Sequence, residues 1–311
     1  MPKRIIVLGT MRSGTSLTAD LVRLWGAYAG EEKNLWKSDF DNPRGYGYME
    51  YIPLQEFNDE LLDHKDRVPP PVGLMEEKSQ DPKYQKRALE LIEAMDQQAD
   101  KNQAPAWVWK DARLPLTLPF WAKLWGDVIY VITIRHPAEI TLSAAKAQEF
   151  QEEDPPFSAG LLYWQCCMLN VITYTQDHPK KIFLAYDQLI SNPNTEISRL
   201  SRFLDTYNDL PPENSEQREH GMRTRIAANQ RHFEYKKSLA EITEATKEQR
   251  ALYNFLRVKT IHPDEAFKRE DFELYPGWRD FLESLDMLLT FSDKLETWAT
   301  QQPSDHDENK E

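Results

Sequence analysis

The sequence has too few cysteines to build a disulfide framework or a cysteine-rich metal site. Its 311 residues include two cysteines, and these are adjacent, Cys166 and Cys167. Neighbouring cysteines do not have the spacing of a structural zinc site, and the histidines stand alone as well, so no metal site is expected. We interpret both cysteines as small buried helix residues. Because nothing calls for an oxidising compartment, the cytoplasm is the expected location.

Long hydrophobic runs are missing too. A membrane-spanning helix needs about 20 consecutive apolar residues. The best candidate here, residues 128–134, has the length of a buried strand. Near the start of the chain, the apolar run 5–8 is too short for a signal-peptide core and leads directly to a glycine. We predict no membrane span and interpret this run as the first strand.

Positive charge is also scarce. The chain has 38 lysines and arginines against 51 aspartates and glutamates, a net charge of -13. Nonspecific binding of nucleic acid needs a basic face, so nucleic acid is not an expected partner. A highly anionic polymer is also a poor fit unless basic residues cluster locally. An anionic nucleotide remains possible, because local donors rather than net charge decide its binding.

Segments with strand and helix patterns alternate along the chain, which predicts an α/β fold with a parallel sheet flanked by helices. The predicted strands are 4–8, 107–110, 127–134 and 181–185. The predicted helices are 15–25, 83–101, 137–148, 157–175 and 197–204. The C-terminal part looks mainly helical. We expect one domain over residues 1–300 and a disordered acidic tail over 301–311.

A glycine loop lies between the first predicted strand and the first predicted helix. Gly9 and Gly14 are separated by four residues, a spacing typical of a phosphate-binding loop, where backbone N–H groups at the helix start point at the anion. Thr15 stands where a nucleotide hydrolase has its lysine, and without that lysine the grip on the β- and γ-phosphates is lost. A cation occurs earlier instead, at Arg12, and its guanidinium can make a forked contact with a phosphate and a sulfate.

This loop resembles the 5'-phosphosulfate-binding loop of sulfotransferases that use 3'-phosphoadenosine 5'-phosphosulfate (PAPS). The resemblance implies that five of its residues bind the nucleotide: Arg12, Ser13, Gly14, Thr15 and Ser16.

A second element follows the strand 127–134. The strand ends at Arg135, a helix opens at Pro137, and Ser143 lies two turns along it. Arg135 should therefore lie at the carboxyl edge of the sheet, where ligands of such folds bind. The arrangement is similar to the 3'-phosphate-binding element of the same family, which implies that Arg135 and Ser143 hold the 3'-phosphate of PAPS. The segment from Ala185 to Leu189 resembles the family's strand-end Tyr-Glu-x-Leu and implies that Tyr186 lies near the nucleotide.

The three motifs occur in the family's order, from Ile5 to about Leu204. The resemblance implies a P-loop-like sulfotransferase fold and transfer of a sulfuryl group from PAPS to an acceptor hydroxyl or amine, with no metal required. Two alternatives are a P-loop kinase-like enzyme, which would show magnesium-dependent turnover of ATP, and a noncatalytic nucleotide-binding protein.

Sulfuryl transfer needs cations around the sulfate and a base for the acceptor proton. Lys110 ends the predicted strand 107–110 and is, beside Arg12, the best candidate cation. The segment that follows it corresponds to the family's Lys-Asp-Pro or Lys-x-His-Leu-Pro, but Ala112 replaces the proline and the histidine is missing. The base is therefore expected to be a carboxylate. Arg113 is a further sulfate or acceptor contact, or a structural partner of Asp111.

Two glutamates are candidate bases. Glu32, preceded by Gly30 and Glu31, resembles the second glutamate of the Gly-Glu-Glu of tyrosylprotein sulfotransferases, and it is the first choice. Glu50 is the second, because Asn42 and the residues after it resemble an Asn-Pro-x-Gly-aromatic-Glu segment of bacterial relatives. Asp111 remains a third possibility. A hydrophobic acceptor pocket can raise the pKa of such a base towards working pH.

The basic stretch 218–237 lies where sulfotransferases fold a late loop over the nucleotide. Arg225 and Arg231 are its candidate nucleotide contacts, and a solvated helix is the alternative. Aromatic residues that flank the acceptor side or fill the core are Trp36, Tyr46, Tyr48 and Tyr51. The expected acceptor is a small molecule or glycan, with peptides, natural products and small alcohols all open. The sequence does not predict an oligomeric state.

Overall fold

A computed structural model of the chain describes residues 1–36, 49–63, 69–71, 73–146, 157–207, 214–228 and 238–261. Its sheet contains four parallel strands in the order β2-β1-β3-β4. The strands are β1 (Lys3–Leu8), β2 (Ala106–Lys110), β3 (Val128–Ile134) and β4 (Lys181–Ala185). Every residue of β2 and β3 is buried, as expected for strands covered by helices on both faces. The predicted α/β fold with a parallel sheet is confirmed.

The strand order places a binding crevice at the carboxyl edge of the sheet. The chain runs from β1 to β2 on one side and then returns to β3 on the other side of β1. In the register, Val7 of β1 lies between Lys110 of β2 and Val131 of β3. Ligands of open α/β sheets bind where the strand order reverses in this way. The loops after β1, β2 and β3 therefore meet at one site.

The helices pack on both faces of this sheet. They are α1 (Thr15–Trp25), α2 (Ile52–Leu61), α3 (Leu74–Lys78), α4 (Pro82–Lys101), α5 (Leu114–Trp121), α6 (Pro137–Lys146), α7 (Phe157–Thr175), α8 (Tyr186–Ser191), α9 (Pro193–Thr206), α10 (Ser215–Ala228) and α11 (Lys247–Ile261). The predicted helices 15–25 and 157–175 have the observed bounds, whereas α2, α3, α5 and α8 were not predicted. In the described part of the chain, no helix combines the length and apolar character needed to cross a membrane.

One face of the sheet carries a tryptophan-rich core. Trp107 and Trp109 point to the same face of β2, because side chains two residues apart in a strand share a face. Trp109 packs edge-on against Trp121 with 5.5 Å between ring centroids, and Trp121 stacks on Trp125 at 5.6 Å. Much of the chain's aromatic content therefore stabilises the fold beneath the crevice rather than forming its wall.

Candidate active site

The backbone of the glycine loop requires a glycine at position 14. Gly14 has a φ of +98°, and a Cβ atom built there would lie 2.3 Å from Cδ2 of Tyr186. Gly14 is also the N-cap residue of α1, and it has no side chain with which to cap the helix. The N–H groups of the first helical turn are therefore left for an anion, which the helix dipole also favours. Ser13 closes the loop, because its hydroxyl donates to the carbonyl oxygen of Thr10 at 2.6 Å.

The predicted nucleotide residues converge above β1 and β3. Nη1 of Arg135 donates to the backbone oxygen of Arg12 at 2.8 Å. Nε of Arg12 donates to Oγ of Ser143 at 3.1 Å. The guanidinium carbon of Arg135 lies 4.6 Å from the ring centre of Tyr186, a cation–π contact. The structure thus brings together Arg12, Ser143, Arg135 and Tyr186, which come from three separate parts of the sequence.

Glu139 holds the Arg135 side chain, and the sequence analysis missed it. Its Oε2 accepts a hydrogen bond from Nε of Arg135 at 2.9 Å, and the residue is 2% exposed. Glu139 lies in the first turn of α6, four residues after Arg135. That spacing was a usable signal, because residues four apart are neighbours on a helical turn.

A buried ion pair lies at the end of β2. Nζ of Lys110 donates to Oε1 of Glu50 at 2.5 Å, and the two residues are 3% and 5% exposed. Burial raises the pKa of the Glu50 carboxyl above its ordinary value, although the ammonium of Lys110 opposes the shift. Asp111 adds to the rise, and Arg113 opposes it. Glu50 is therefore a buried carboxylate with a raised pKa and a lysine as its ion-pair partner.

Helix α2 follows Glu50 in the chain and contacts the segment after β2. Asn58 donates from Nδ2 to Oδ2 of Asp111 at 3.2 Å, and the backbone N–H of Arg113 donates to Oδ1 of Asp111 at 2.7 Å. The guanidinium of Arg113 also forms an ion pair with Asp59. Asn58 and Asp59 were missed because more than fifty residues separate them from their partners. The structure places Arg113 beside Asp111, with 3.4 Å between Nη1 and Oδ1. This is the position that the structural one of its two predicted roles requires.

The two candidate bases lie in adjacent segments with different exposure. Glu32 begins a short 3-10 helix, Glu32–Asn34, and is exposed. Just after it, the backbone N–H of Trp36 donates to the carbonyl oxygen of Glu50 at 2.9 Å. Two neighbouring segments therefore carry the exposed Glu32 and the buried Glu50, which is paired with Lys110.

The remaining predicted site residues differ in their exposure and in their partners. Arg225 lies on α10, where its Nε is 2.8 Å from Oδ2 of Asp20, a fully buried residue of α1. Thr15 is buried and Ser16 half-buried at the start of α1. Trp36 is 40% exposed, whereas Tyr51 belongs to the core. Arg231, Tyr46 and Tyr48 lie outside the described residues, as do the predicted tail 301–311 and part of the basic stretch.

Other proteins of known structure resemble this chain in fold. The chain is similar in structure to the sulfotransferase STF9 from Mycobacterium avium, with a TM-score of 0.52 and 17% identity over 86% of this chain and 79% of that one. It also matches the sulfotransferase domain of the Synechococcus PCC 7002 olefin synthase, with a TM-score of 0.45 and 16% identity over 88% of this chain and 93% of that domain. No curated protein matches the sequence.

A sequence model described as "Sulfotransferase family" matches residues 2–209. This range contains the glycine loop, both members of the buried ion pair and the cluster around Arg135. It covers more than half of the chain, and the likeness to the Mycobacterium avium enzyme shows a shared fold. The family resemblance of the motifs is confirmed: this chain belongs to the sulfotransferase family.

Proposed function

We propose that this sulfotransferase takes the sulfuryl group of PAPS and transfers it in line to a hydroxyl or amine of an acceptor, with Glu50 as general base. The observation that carries the proposal is the buried pair of Glu50 and Lys110 beside the glycine loop. Lys110 is level with Val7 in the sheet, so the pair lies one strand away from the loop. A carboxylate and a cation at this point supply two of the groups that sulfuryl transfer needs.

The donor is held at two ends. The N–H groups at the start of α1, together with Arg12, bind the 5'-phosphosulfate, and the hydroxyl groups of Ser13, Thr15 and Ser16 lie in the same turn. Arg135 and Ser143 bind the 3'-phosphate, which distinguishes the nucleotide from AMP and ATP. Support for this assignment comes from the guanidinium of Arg135, which Glu139 and the Tyr186 ring hold in one orientation.

Glu50 removes the proton of the acceptor hydroxyl or amine as that atom attacks sulfur. The new bond to sulfur forms while the bond from sulfur to the bridging phosphate oxygen breaks, and 3'-phosphoadenosine 5'-phosphate (PAP) leaves. Lys110 and Arg12 stabilise the negative charge that develops on the sulfuryl and bridging oxygens. Before the acceptor binds, the ammonium of Lys110 favours the ionised form of Glu50, which is the form that accepts a proton.

Glu50 replaces Glu32 as our first choice of base. Glu32 is exposed, whereas Glu50 is buried and its pKa is raised by that burial. A base of higher pKa accepts a proton from an alcohol more readily. The acceptor remains a small molecule or glycan, and a cytoplasmic location remains a prediction.

A thermal-shift measurement tests the donor. A ligand that binds only the folded state raises the melting temperature in proportion to the logarithm of its concentration over Kd. We expect stabilisation by PAP that exceeds stabilisation by AMP, and none that depends on magnesium and ATP. Stabilisation by magnesium–ATP alone would overturn the proposal. Transfer of labelled sulfate from PAPS to a panel of alcohols, amines and glycans then identifies the acceptor.

A further inference from the structure

Helix α11 lies outside residues 2–209 but packs against the cluster that contains Arg135. Nη1 of Arg257 donates to Oδ1 of Asp187 at 2.6 Å. The ring of Tyr253 packs edge-on against His136, with centroids 5.1 Å apart and planes at 71°. Asp187 directly follows Tyr186, and His136 directly follows Arg135. One helix therefore contacts the neighbours of both members of the Arg135–Tyr186 stack.

The core holds α11 in this position. Leu252 and Leu256 are buried in the tryptophan-rich core, and Tyr253 also packs edge-on against Trp164 of α7 at 6.3 Å. The position of Tyr253 and Arg257 is thus fixed by packing and not only by their polar contacts. We call these two residues the outer clamp.

The Arg135–Tyr186 stack, whose neighbours the outer clamp contacts, depends on two strand ends. Arg135 follows β3 and Tyr186 follows β4, and the last residues of these strands are neighbours in the register, Ile134 and Ala185. The Tyr186 ring also lies so close to Gly14 that a single Cβ atom there would overlap it. A tilt of Tyr186 would therefore disturb both the guanidinium and the glycine loop.

Charge in this region favours a fixed arrangement. Glu139 pairs with Arg135, and Asp187 pairs with Arg257, so a carboxylate lies against each guanidinium. His136 lies among these four groups, and burial lowers its pKa, which keeps its ring neutral at neutral pH. Asp187 also lies in the first turn of α8, where the helix dipole favours a negative charge. Loss of Arg257 would leave Asp187 without this partner and free that turn to shift.

We infer that Tyr253 and Arg257 are positioning residues for the nucleotide: through His136 and Asp187 they hold the Arg135–Tyr186 stack in the geometry that receives the 3'-phosphate. The inference rests on the proposed use of PAPS. It extends the nucleotide site to a helix that lies beyond the region matched by the family.

The test compares two arginines of α11. In Arg257→Ala the contact with Asp187 is lost. Arg250→Ala is the matched control, because Arg250 lies on the same helix and donates to the backbone oxygens of Leu239 and Ile242 at 3.3 and 2.7 Å. PAP affinity is measured by titration calorimetry and the melting temperature by circular dichroism. We expect Arg257→Ala to weaken PAP binding by about 2- to 30-fold, the range for residues that act through others, and Arg250→Ala to leave it unchanged.

Two further variants separate positioning from stability. Arg257→Lys should restore most of the PAP affinity, and Asp187→Asn should reproduce the loss even if Arg257→Ala does not fold. In the double variant the losses should not add, because both changes break one contact. Equal PAP affinity in wild type, Asp187→Asn and Arg257→Ala would overturn the inference while leaving the donor intact. Absence of PAP binding by the wild type would overturn both the donor and the inference.

Discussion

The two sides of the proposed site are built differently. On the nucleotide side, Arg135 pairs with Glu139 and donates to the backbone oxygen of Arg12, and Arg12 donates to Ser143 of α6. On the acceptor side, two cations lie beside a buried or half-buried carboxylate, Lys110 beside Glu50 and Arg113 beside Asp59. Arginines held close together suit the binding of anions, whereas a carboxylate paired with a lysine suits the movement of a proton. The comparison indicates that binding and proton transfer can be changed separately.

The largest expected effect is on the acceptor side. Glu50→Gln keeps the shape of the side chain but removes the base. We expect turnover to fall by about 10²- to 10⁴-fold, the usual contribution of general base catalysis, while PAP affinity stays within a few-fold of wild type. Steady-state rates with labelled PAPS and calorimetry with PAP measure the two quantities.

Glu32→Gln is the matched control for that variant. Glu32 is exposed and lies in the adjacent segment, so its loss should change neither quantity. A large loss of turnover in Glu32→Gln, with Glu50→Gln active, would return the base to Glu32 and remove the difference between the two sides.

The next largest effect is on the nucleotide side. Arg135→Gln alone would leave the buried Glu139 without its guanidinium, so we combine it with Glu139→Gln. PAP affinity should fall by about 10- to 100-fold, because hydrogen bonds to charged groups contribute about 1.5–3 kcal/mol each.

The control for this double variant is another arginine–glutamate pair. Arg199→Gln with Glu196→Gln removes a pair on α9 whose atoms are 2.6 Å apart. The control should leave PAP affinity unchanged. Equal losses in both double variants would mean that the effect is general destabilisation.

Gly14→Ala should have an intermediate effect that reaches both binding and stability. The new Cβ would overlap the Tyr186 ring, and alanine is strained at a φ of +98°. Strain of this kind costs on the order of 1–3 kcal/mol. We expect weaker PAP binding and a lower melting temperature. Gly73→Ala is the comparison, since its φ is +86° but a Cβ there meets no atom within 4 Å. If the two variants bind PAP equally well, the contact with Tyr186 does not matter.

The smallest effect is a shift in pH dependence. Glu50 must be ionised to act as base, so kcat/KM should rise with pH through a midpoint above 4.5, the ordinary value of a glutamate. Arg113→Gln should move that midpoint upward, because Arg113 lowers the pKa of Glu50. Arg87→Gln is the control. It breaks an ion pair with Glu60, the neighbour of Asp59 on α2, and should leave the midpoint unchanged. An unchanged midpoint in Arg113→Gln would contradict the coupling.

The same shift has a consequence for stability. A carboxyl whose folded pKa lies above its unfolded value binds its proton more tightly in the folded state. Its contribution to stability is therefore complete below the unfolded pKa and is lost as pH rises through the folded pKa.

The nucleotide side was predictable because its signals are local. The glycine loop, Arg135 and Tyr186 each follow a strand directly, so a short stretch of sequence gives both the residue and its position at the sheet edge. Glu139 was within reach by its helical spacing. To predict these positions it was enough to know that the sheet is parallel, which the alternation of strands and helices already indicated.

The acceptor side was not predictable in the same way. Glu32 and Glu50 both stand in family-like segments, and motif similarity does not report which one is buried. That difference depends on Lys110 and on α2, whose contacts with Asp111 and Arg113 span more than fifty residues. The outer clamp depends on contacts across an even longer stretch, from Tyr253 to His136.

The central place of β1 in the sheet determines how far apart the two ends of the proposed donor site lie. Lys110 ends β2 and Arg135 follows β3, and β1 lies between these two strands. Neighbouring strands lie about 4.8 Å apart, so the two cations are anchored about 10 Å apart across the sheet. Lys110 is level with Val131 in the register, and Arg135 lies four residues further along, which adds about 13 Å in the strand direction. In the proposed site, a donor that engages both cations has to span this separation with its sulfate and its 3'-phosphate. A small anion such as inorganic sulfate could engage one cation but not both.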